Sequence, residues 1–263
     1  MTITDDTSLA GRSRAALAEG GALAVQIPGF APRPSQQGLA AAVAVSFEQC
    51  EVLLAEAGTG TGKTFASLVP ALVSGLKTIV STGTRALQDQ LYHRDLPRVR
   101  DALGTGVKTA LLKGRANYLC RYRTERAKGE HRFTAREQVA QFQRIVAWSG
   151  RTRLGDLAEL EALPEDSPLL PMVTSTAENC LGSECPFWGD CFVVQARQRA
   201  QSADIVVVNH HLLLADLALK QEGFGEILPG AQAFVIDEAH QLPELAAQFF
   251  GEGLSARALA QRA

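Results

Sequence analysis

The chain has 263 residues, 46% of them hydrophobic, and a formal net charge of −2. That length admits one large domain or two small ones with a sizeable core. No apolar run approaches the roughly 20 residues that span a bilayer. The polar start MTITDDTSLAGRSR lacks the basic-then-apolar pattern of a secretory signal, so the expectation is a cytoplasmic protein with reduced thiols and no membrane partner.

The small net charge hides an asymmetry. Between Arg85 and Arg153 lie 16 Lys/Arg against 6 Asp/Glu, leaving 10 against 22 elsewhere. A basic segment in an acidic chain is the footprint of a polyanion binder, but solvated helix surfaces have the same composition. Charge alone leaves both open.

In chain order, residues 1–27 read as a tail followed by a short helix, and PGFAPRPSQQ (28–37) as a proline-punctuated loop. The alanine-rich stretch Gln37–Cys50 reads as helix. EVLLAE (51–56) is an apolar run that predicts a buried strand leading into AGTGTGKT (57–64), with a helix over 65–76. KTIVS (77–81) predicts a strand, 84–96 a helix, and VKTALL (107–112) a third strand. The alternation stops over 113–197, which holds four of the five cysteines and reads as an inserted subdomain. It resumes with DIVVVN (204–209) as strand, 210–219 as helix and AFVIDE (233–238) as strand. Apolar strands alternating with helices indicate a parallel sheet with helices on both faces, hence an α/β nucleotide-binding core.

AGTGTGKT between a strand and a helix is the setting of a phosphate-binding P-loop. Its glycines let backbone N–H groups turn toward phosphate oxygens. Ala57, Gly58, Thr59, Gly60, Thr61, Gly62, Lys63 and Thr64 form the candidate nucleotide loop. Lys63 is placed for the β- and γ-phosphates and Thr64 for Mg²⁺. Ala57 stands where the strict pattern has glycine. The strand ending in Asp237 and Glu238 supplies a candidate Mg²⁺ ligand and a candidate general base for water. An acidic pair after a strand is by itself often only a helix start; behind a P-loop it reads as an ATPase site.

Cys120, Cys180, Cys185 and Cys191 are separated by 59, 4 and 5 residues. Four thiolates can hold a zinc ion or an iron–sulfur cluster. Only one gap has the tight spacing usual for zinc, yet spacing leaves cluster, zinc and unrelated thiols open. Cys50 reads as a small buried apolar residue.

EAGTGTGKT, STGTRALQDQL, VVVNHHLLLAD and VIDEAH, with LKGRANYLC, TSTAENCLGSECP and DCFVVQARQ, resemble the DinG/YoaA group of bacterial superfamily 2 DNA helicases, which are similar to XPD-type iron–sulfur helicases. The resemblance runs from about Pro28 to the C-terminus. It implies a RecA-like P-loop domain interrupted by a mostly helical insertion that carries a 4Fe–4S cluster on the four cysteines. It also implies ATP- and Mg²⁺-dependent 5′–3′ translocation on single-stranded or forked DNA, with replication or repair proteins as partners. Gln36 would match an adenine-reading glutamine, residues 81–91 a segment contacting the DNA backbone, and His240 a residue coupling ATP to DNA. Asn209, His210 and His211 match a family motif without an assigned mechanism, and Asn209 reads equally as a helix N-cap. Lys113, Arg115, Arg121, Arg123 and Arg126 are candidate phosphate contacts, and Phe187 and Trp188 would shield the cluster or stack on bases.

The implied division is a tail at 1–27, RecA-like segments at 28–112 and 198–250, the cluster insertion at 113–197, and the start of a further insertion at 251–263. A second RecA-like domain with its arginine finger is expected outside this chain, read as an N-terminal portion. The alternatives are an iron–sulfur nucleotide-binding sensor without motor activity and an ATPase that moves on RNA.

Overall fold

The computed structural model describes residues 7–58, 60–130, 133, 135–160, 163–164, 166–223 and 226–251. Thr59 and residues 252–263, which cover nearly all of the expected further insertion, lie outside the described residues. The chain forms two compact units, Met1–Leu111 with Ser202–Ala263, and Leu112–Gln201.

The first unit opens with α1 (Leu9–Leu17) and α2 (Ala22–Gln26), so helix occupies more of the N-terminal stretch than expected. Ser8 caps α1 by accepting from the Gly11 amide at 3.0 Å. α3 spans Pro34–Gln49. Pro34 starts it, because a first-turn position needs no N–H donor; the expected loop therefore ends early. α3 stops at Cys50, whose left-handed backbone (φ 55°) closes the helix. Cys50 is exposed, not buried as its residue type suggested.

The strand expected at 51–56 does not form. Residues 51–56 take no regular secondary structure and pair with no strand among the described residues, and Val52 and Leu54 are 100% and 89% exposed. α4 (Lys63–Ser74) follows the glycine-rich loop and ends on Gly75 in the left-handed region. β1 (Thr78–Thr82) leads through the Thr84 cap into α5 (Arg85–Gln90), a π-helical turn (Leu91–Asp95) and α6 (Leu96–Leu103). The single helix expected at 84–96 is thus longer and interrupted. β2 is Thr109–Leu111.

The second unit holds α7 (Arg121–Glu130), α8 (Arg136–Ser149), α9 (Leu170–Val173) and the start of α10 (Phe192–Ser202). It has a buried apolar set of its own, including Phe142, Ile145 and Trp148 of α8 and Phe192 of α10. The Phe192 ring lies so close to Gly155 that a Cβ there would come within 2.2 Å of it. A buried ion pair, Lys113 to Asp156 at 2.7 Å, ties the start of this unit to a residue 43 positions later in the chain.

Back in the first unit come β3 (Ile205–Asn209), α11 (His210–Gln221), β4 (Ala233–Ile236) and α12 (Leu242–Phe250). The four strands form one parallel sheet in the order β2-β3-β1-β4. Ile205–Val208 are wholly buried, as fits an inner parallel strand of branched residues. Leu17, Leu68, Val69, Leu72, Val80 and Val207 belong to one apolar cluster with α3 and α6. Small residues Ala40, Ala41 and Ala44 form the buried side of α3. Cover on both faces fails at β4, where Phe234 and Ile236 are 50% and 37% exposed.

Candidate active site

The P-loop residues Gly60 and Gly62 have φ of 74° and 83°, a backbone that side-chain-bearing residues adopt only with strain. Thr61 donates its hydroxyl to the Gly58 carbonyl at 2.8 Å, closing the turn. Arg33 donates to the Gly60 carbonyl. Gly62 caps α4, so Lys63 and Thr64 are its first two residues, where the helix end favours negative charge.

Asp237 and Glu238 follow β4 directly. Lys63 Nζ lies 3.7 Å from Glu238 Oε1, and His240 Nδ1 lies 3.5 Å from Glu238 Oε2. Glu238 has φ 54°, so the turn after β4 holds a non-glycine residue in the left-handed region. Burial, and secondarily the Glu238 charge, raises the Asp237 pKa above the ordinary carboxylate value, while Lys63 pulls it back. The P-loop lysine and the acidic pair, 174 positions apart, therefore meet beyond the carboxyl ends of the strands, where open parallel sheets carry ligands.

Beside the loop is a cavity of about 250 Å³ lined by Phe30, Arg33, Gln36, Gly62, Phe65 and Arg98, among others. Phe30 and Phe65 stack with ring centroids 6.1 Å apart and an 18° interplanar angle. Gln36 is buried, donates Nε2 to the Gly62 carbonyl at 3.1 Å, and leaves its Oε1 without a partner among the described residues. A buried unpartnered acceptor beside aromatic walls is the chemistry a base with an exocyclic amine would satisfy. The sequence pointed to Gln36 but not to the aromatic pair or Arg98, which belong to no local motif.

The chain is 50% identical over 239 residues to the ATP-dependent DNA helicase YoaA of Haemophilus influenzae and 51% identical over 239 residues to that of Escherichia coli, each covering 91% of this chain. It is 40% identical over 245 residues to the ATP-dependent helicase DinG of Mycobacterium tuberculosis, covering 85% of the chain. Over most of its length the chain is similar to the YoaA and DinG helicases. It spans a little over a third of those relatives' own length, between 36% and 38%. No family model matches it.

Of the other family positions, residues 81–91 leave β1 and expose Thr84 and Arg85, while Gln88 is buried and donates to the Val207 carbonyl at 3.3 Å. His240 is exposed and sits on Glu238.

In the second unit the four cysteines are free and half-buried. Burial raises the Cys120 pKa, hydrogen bonds from the Arg123 backbone and the Ser175 side chain pull it back, and Cys191 and Cys185 add smaller upward contributions. Cys180 Sγ accepts from Arg115 Nη1 at 2.8 Å and from the Gly182 amide at 3.4 Å. Among the described residues no three Cys, His, Asp or Glu side chains are grouped as a metal site. The donor set nonetheless fits a thiolate-bound group: the four sulfurs are half-buried, and Cys180 is met by an N–H and a guanidinium donor of the kind that stabilise a thiolate.

The five basic residues expected to grip phosphates are committed inside the unit. Lys113 pairs with Asp156. Arg115 meets Cys180, Arg121 donates to the Asp190 carbonyl at 3.1 Å and lies over Phe192, and Arg123 donates to the Pro171 carbonyl. Arg126 lies 5.9 Å over the Tyr122 ring. Trp188 is 44% exposed, so in this structure it is not packed away as a shield.

Proposed function

We propose that the first unit is a RecA-like motor domain of an ATP-dependent DNA helicase. The observation that carries this reading is the 3.7 Å approach of Lys63 to Glu238, with Asp237 beside it at the end of a parallel strand. ATP would place its base in the Phe30–Phe65 cavity, with the Gln36 oxygen accepting from the exocyclic amine. Its phosphates would lie along the loop 57–64, with Lys63 leaving Glu238 for the β- and γ-oxygens. Thr64 and Asp237 would hold Mg²⁺, which neutralises phosphate charge when bound. Glu238, freed of Lys63, accepts a proton from the attacking water; the new P–O bond forms at the γ-phosphorus as the bond to ADP breaks. The αL turn aims this carboxylate past the strand end.

Cys120, Cys180, Cys185 and Cys191 would hold the 4Fe–4S cluster, which fixes the lobe by joining distant segments. Residues 81–91 would follow a DNA strand, with translocation from 5′ to 3′, in DNA repair or replication in the cytoplasm. Among the described residues no helix is long and apolar enough to cross a membrane. An arginine finger is not assigned within these residues; on this reading a second RecA-like domain supplies it, and turnover by the chain alone is slow, since such fingers contribute about 10³–10⁵ in rate.

The test is ATP binding and phosphate release with single-stranded DNA or RNA of one sequence. Mg²⁺-dependent ATP binding, with slow hydrolysis stimulated more by DNA, supports the proposal. Absence of ATP binding, or stimulation by RNA alone, rules it out.

A further inference from the structure

The Asn209-His210-His211 motif has no part in the mechanism above. Asn209 is accounted for: its side chain accepts from the Leu212 amide at 2.9 Å and caps α11. His210 is not explained by capping. It is fully buried at the start of α11, directly after β3, and its ring nitrogens meet the end of β1 and the residue after β4. Nδ1 lies 2.7 Å from Ser81 Oγ, and Nε2 lies 2.8 Å from the Asp237 carbonyl oxygen. A carbonyl only accepts, so Nε2 carries the proton and Nδ1 accepts from the Ser81 hydroxyl. The Asp237 amide in turn donates to the Ser81 carbonyl at 2.9 Å.

These bonds close a ring. In the sheet order β3-β1-β4, the imidazole starts from the residue after β3, touches the end of β1, and reaches the residue after β4. Its two partners belong to different machinery. Asp237 is the proposed Mg²⁺ ligand, and Ser81 opens the segment 81–91 proposed to follow DNA. A second contact runs beside it: a Cβ on Gly83 would fall 2.3 Å from Gln241 Oε1, so the side chain three residues after Glu238 rests on that same segment. His240, in contrast, is exposed and bonded toward Glu238.

We propose that His210 is a positioning residue that couples the triphosphate site to the nucleic-acid segment: a shift of Asp237 on binding Mg–nucleotide is passed through the imidazole to Ser81. The inference rests on the function proposed above and deepens it. Coupling of this kind is reciprocal, so nucleotide must change DNA affinity by the factor with which DNA changes nucleotide affinity.

The experiment measures the dissociation constant of a fluorescent single-stranded oligonucleotide with and without Mg²⁺ and a non-hydrolysable ATP analogue. The ratio of the two is the coupling factor. It is measured for the unmodified chain, for His210→Gln, which keeps an amide donor near the Asp237 carbonyl, and for His210→Asn, which keeps only the Ser81 side. The unmodified chain is expected to show a factor of about 5 or more. Both variants should bind each ligand alone within about twofold of the parent while the factor collapses toward one. An unchanged factor in the variants overturns the inference. So does a loss of both separate affinities together with the melting temperature, which would make His210 a brace only. A factor of one in the unmodified chain overturns it too, while leaving the proposed function standing if both ligands bind. If neither ligand binds, the function itself fails. Should the variants not fold, ring ¹⁵N shifts of His210 in the unmodified chain decide: they must move on adding either ligand alone, and immobility in both titrations refutes the coupling.

Discussion

Replacing Lys113 by Met separates a structural role from a phosphate contact. The Lys113 and Asp156 side chains are 3% and 9% exposed and 2.7 Å apart. Asp156 Oδ1 also accepts from the Ala158 amide at 3.0 Å, and the Lys113 amide donates to the Tyr118 hydroxyl. In Lys113→Met the carboxylate stays buried with, among the described residues, only the neutral Ala158 amide as donor. Removing one partner of such a pair costs about 3–5 kcal/mol. A unit covering residues 112–201 holds roughly 5–14 kcal/mol at ~0.05–0.15 kcal/mol per residue, so a large share of its stability goes. At about 4–8 °C per kcal/mol, the melting point falls by at least ~12 °C. The assay is built into the chain, because both tryptophans, Trp148 and Trp188, lie in this unit and their fluorescence reports it alone. The double variant Lys113→Met with Asp156→Leu should recover most of the loss, since an apolar pair replaces the ionic one. The reasoning is refuted if Lys113→Met melts like the parent yet binds DNA more weakly with a salt slope reduced by about one phosphate.

Burial lowers the His210 pKa, against the opposing pull of the Asp237 carbonyl and charge; the backbone at Glu238 also raises it and His211 lowers it. A folded pKa below the ordinary ~6.5 means the unfolded chain binds the extra proton, so stability is full above about pH 6.5 and declines as pH falls below it. Urea midpoints measured across that window should drop in the parent and drop less in His210→Gln. Gly62→Ala adds a Cβ that would lie 2.1 Å from Gln36 Nε2 at φ 83°; a fluorescent-nucleotide titration should find ATP affinity at least about tenfold weaker, a loss of ~1.4 kcal/mol or more. Cys180→Ser in anaerobically purified protein should lose iron and sulfide together with visible absorption while ATP still binds, whereas one zinc per chain would reassign the thiols to a zinc module.

Much of the site was legible because its signals are local. Glycines at 60 and 62, the lysine after them, and an apolar strand ending in two acids each state their chemistry within a few residues. Asn209 as a cap was equally local. What failed depended on partners elsewhere. Residues 51–56 have the composition of a buried strand, but a strand exists only by pairing, and among the described residues β4 is bonded on one side only, to β1. Cys50 has a buried residue's chemistry but sits where α3 must turn, in a left-handed conformation at the surface. The basic run around Cys120 shows its charge in the sequence, whereas its partners within the unit, Asp156, Asp190, Pro171 and the rings of Tyr122 and Phe192, do not show there. His210 went unassigned for the same reason: its two partners are 129 and 27 positions away.

Titration calorimetry with Mg-ATP on the parent, Lys63→Ala and Glu238→Gln tests most directly whether Lys63 and the acidic pair serve one triphosphate. The Lys63–Glu238 pair is about a third exposed and worth at most ~1 kcal/mol. Glu238→Gln should therefore bind ATP as tightly as the parent or up to about fivefold tighter, with hydrolysis abolished, while Lys63→Ala binds at least about tenfold more weakly. Parent-like binding by Lys63→Ala, or parent-like turnover by Glu238→Gln, would contradict a shared site.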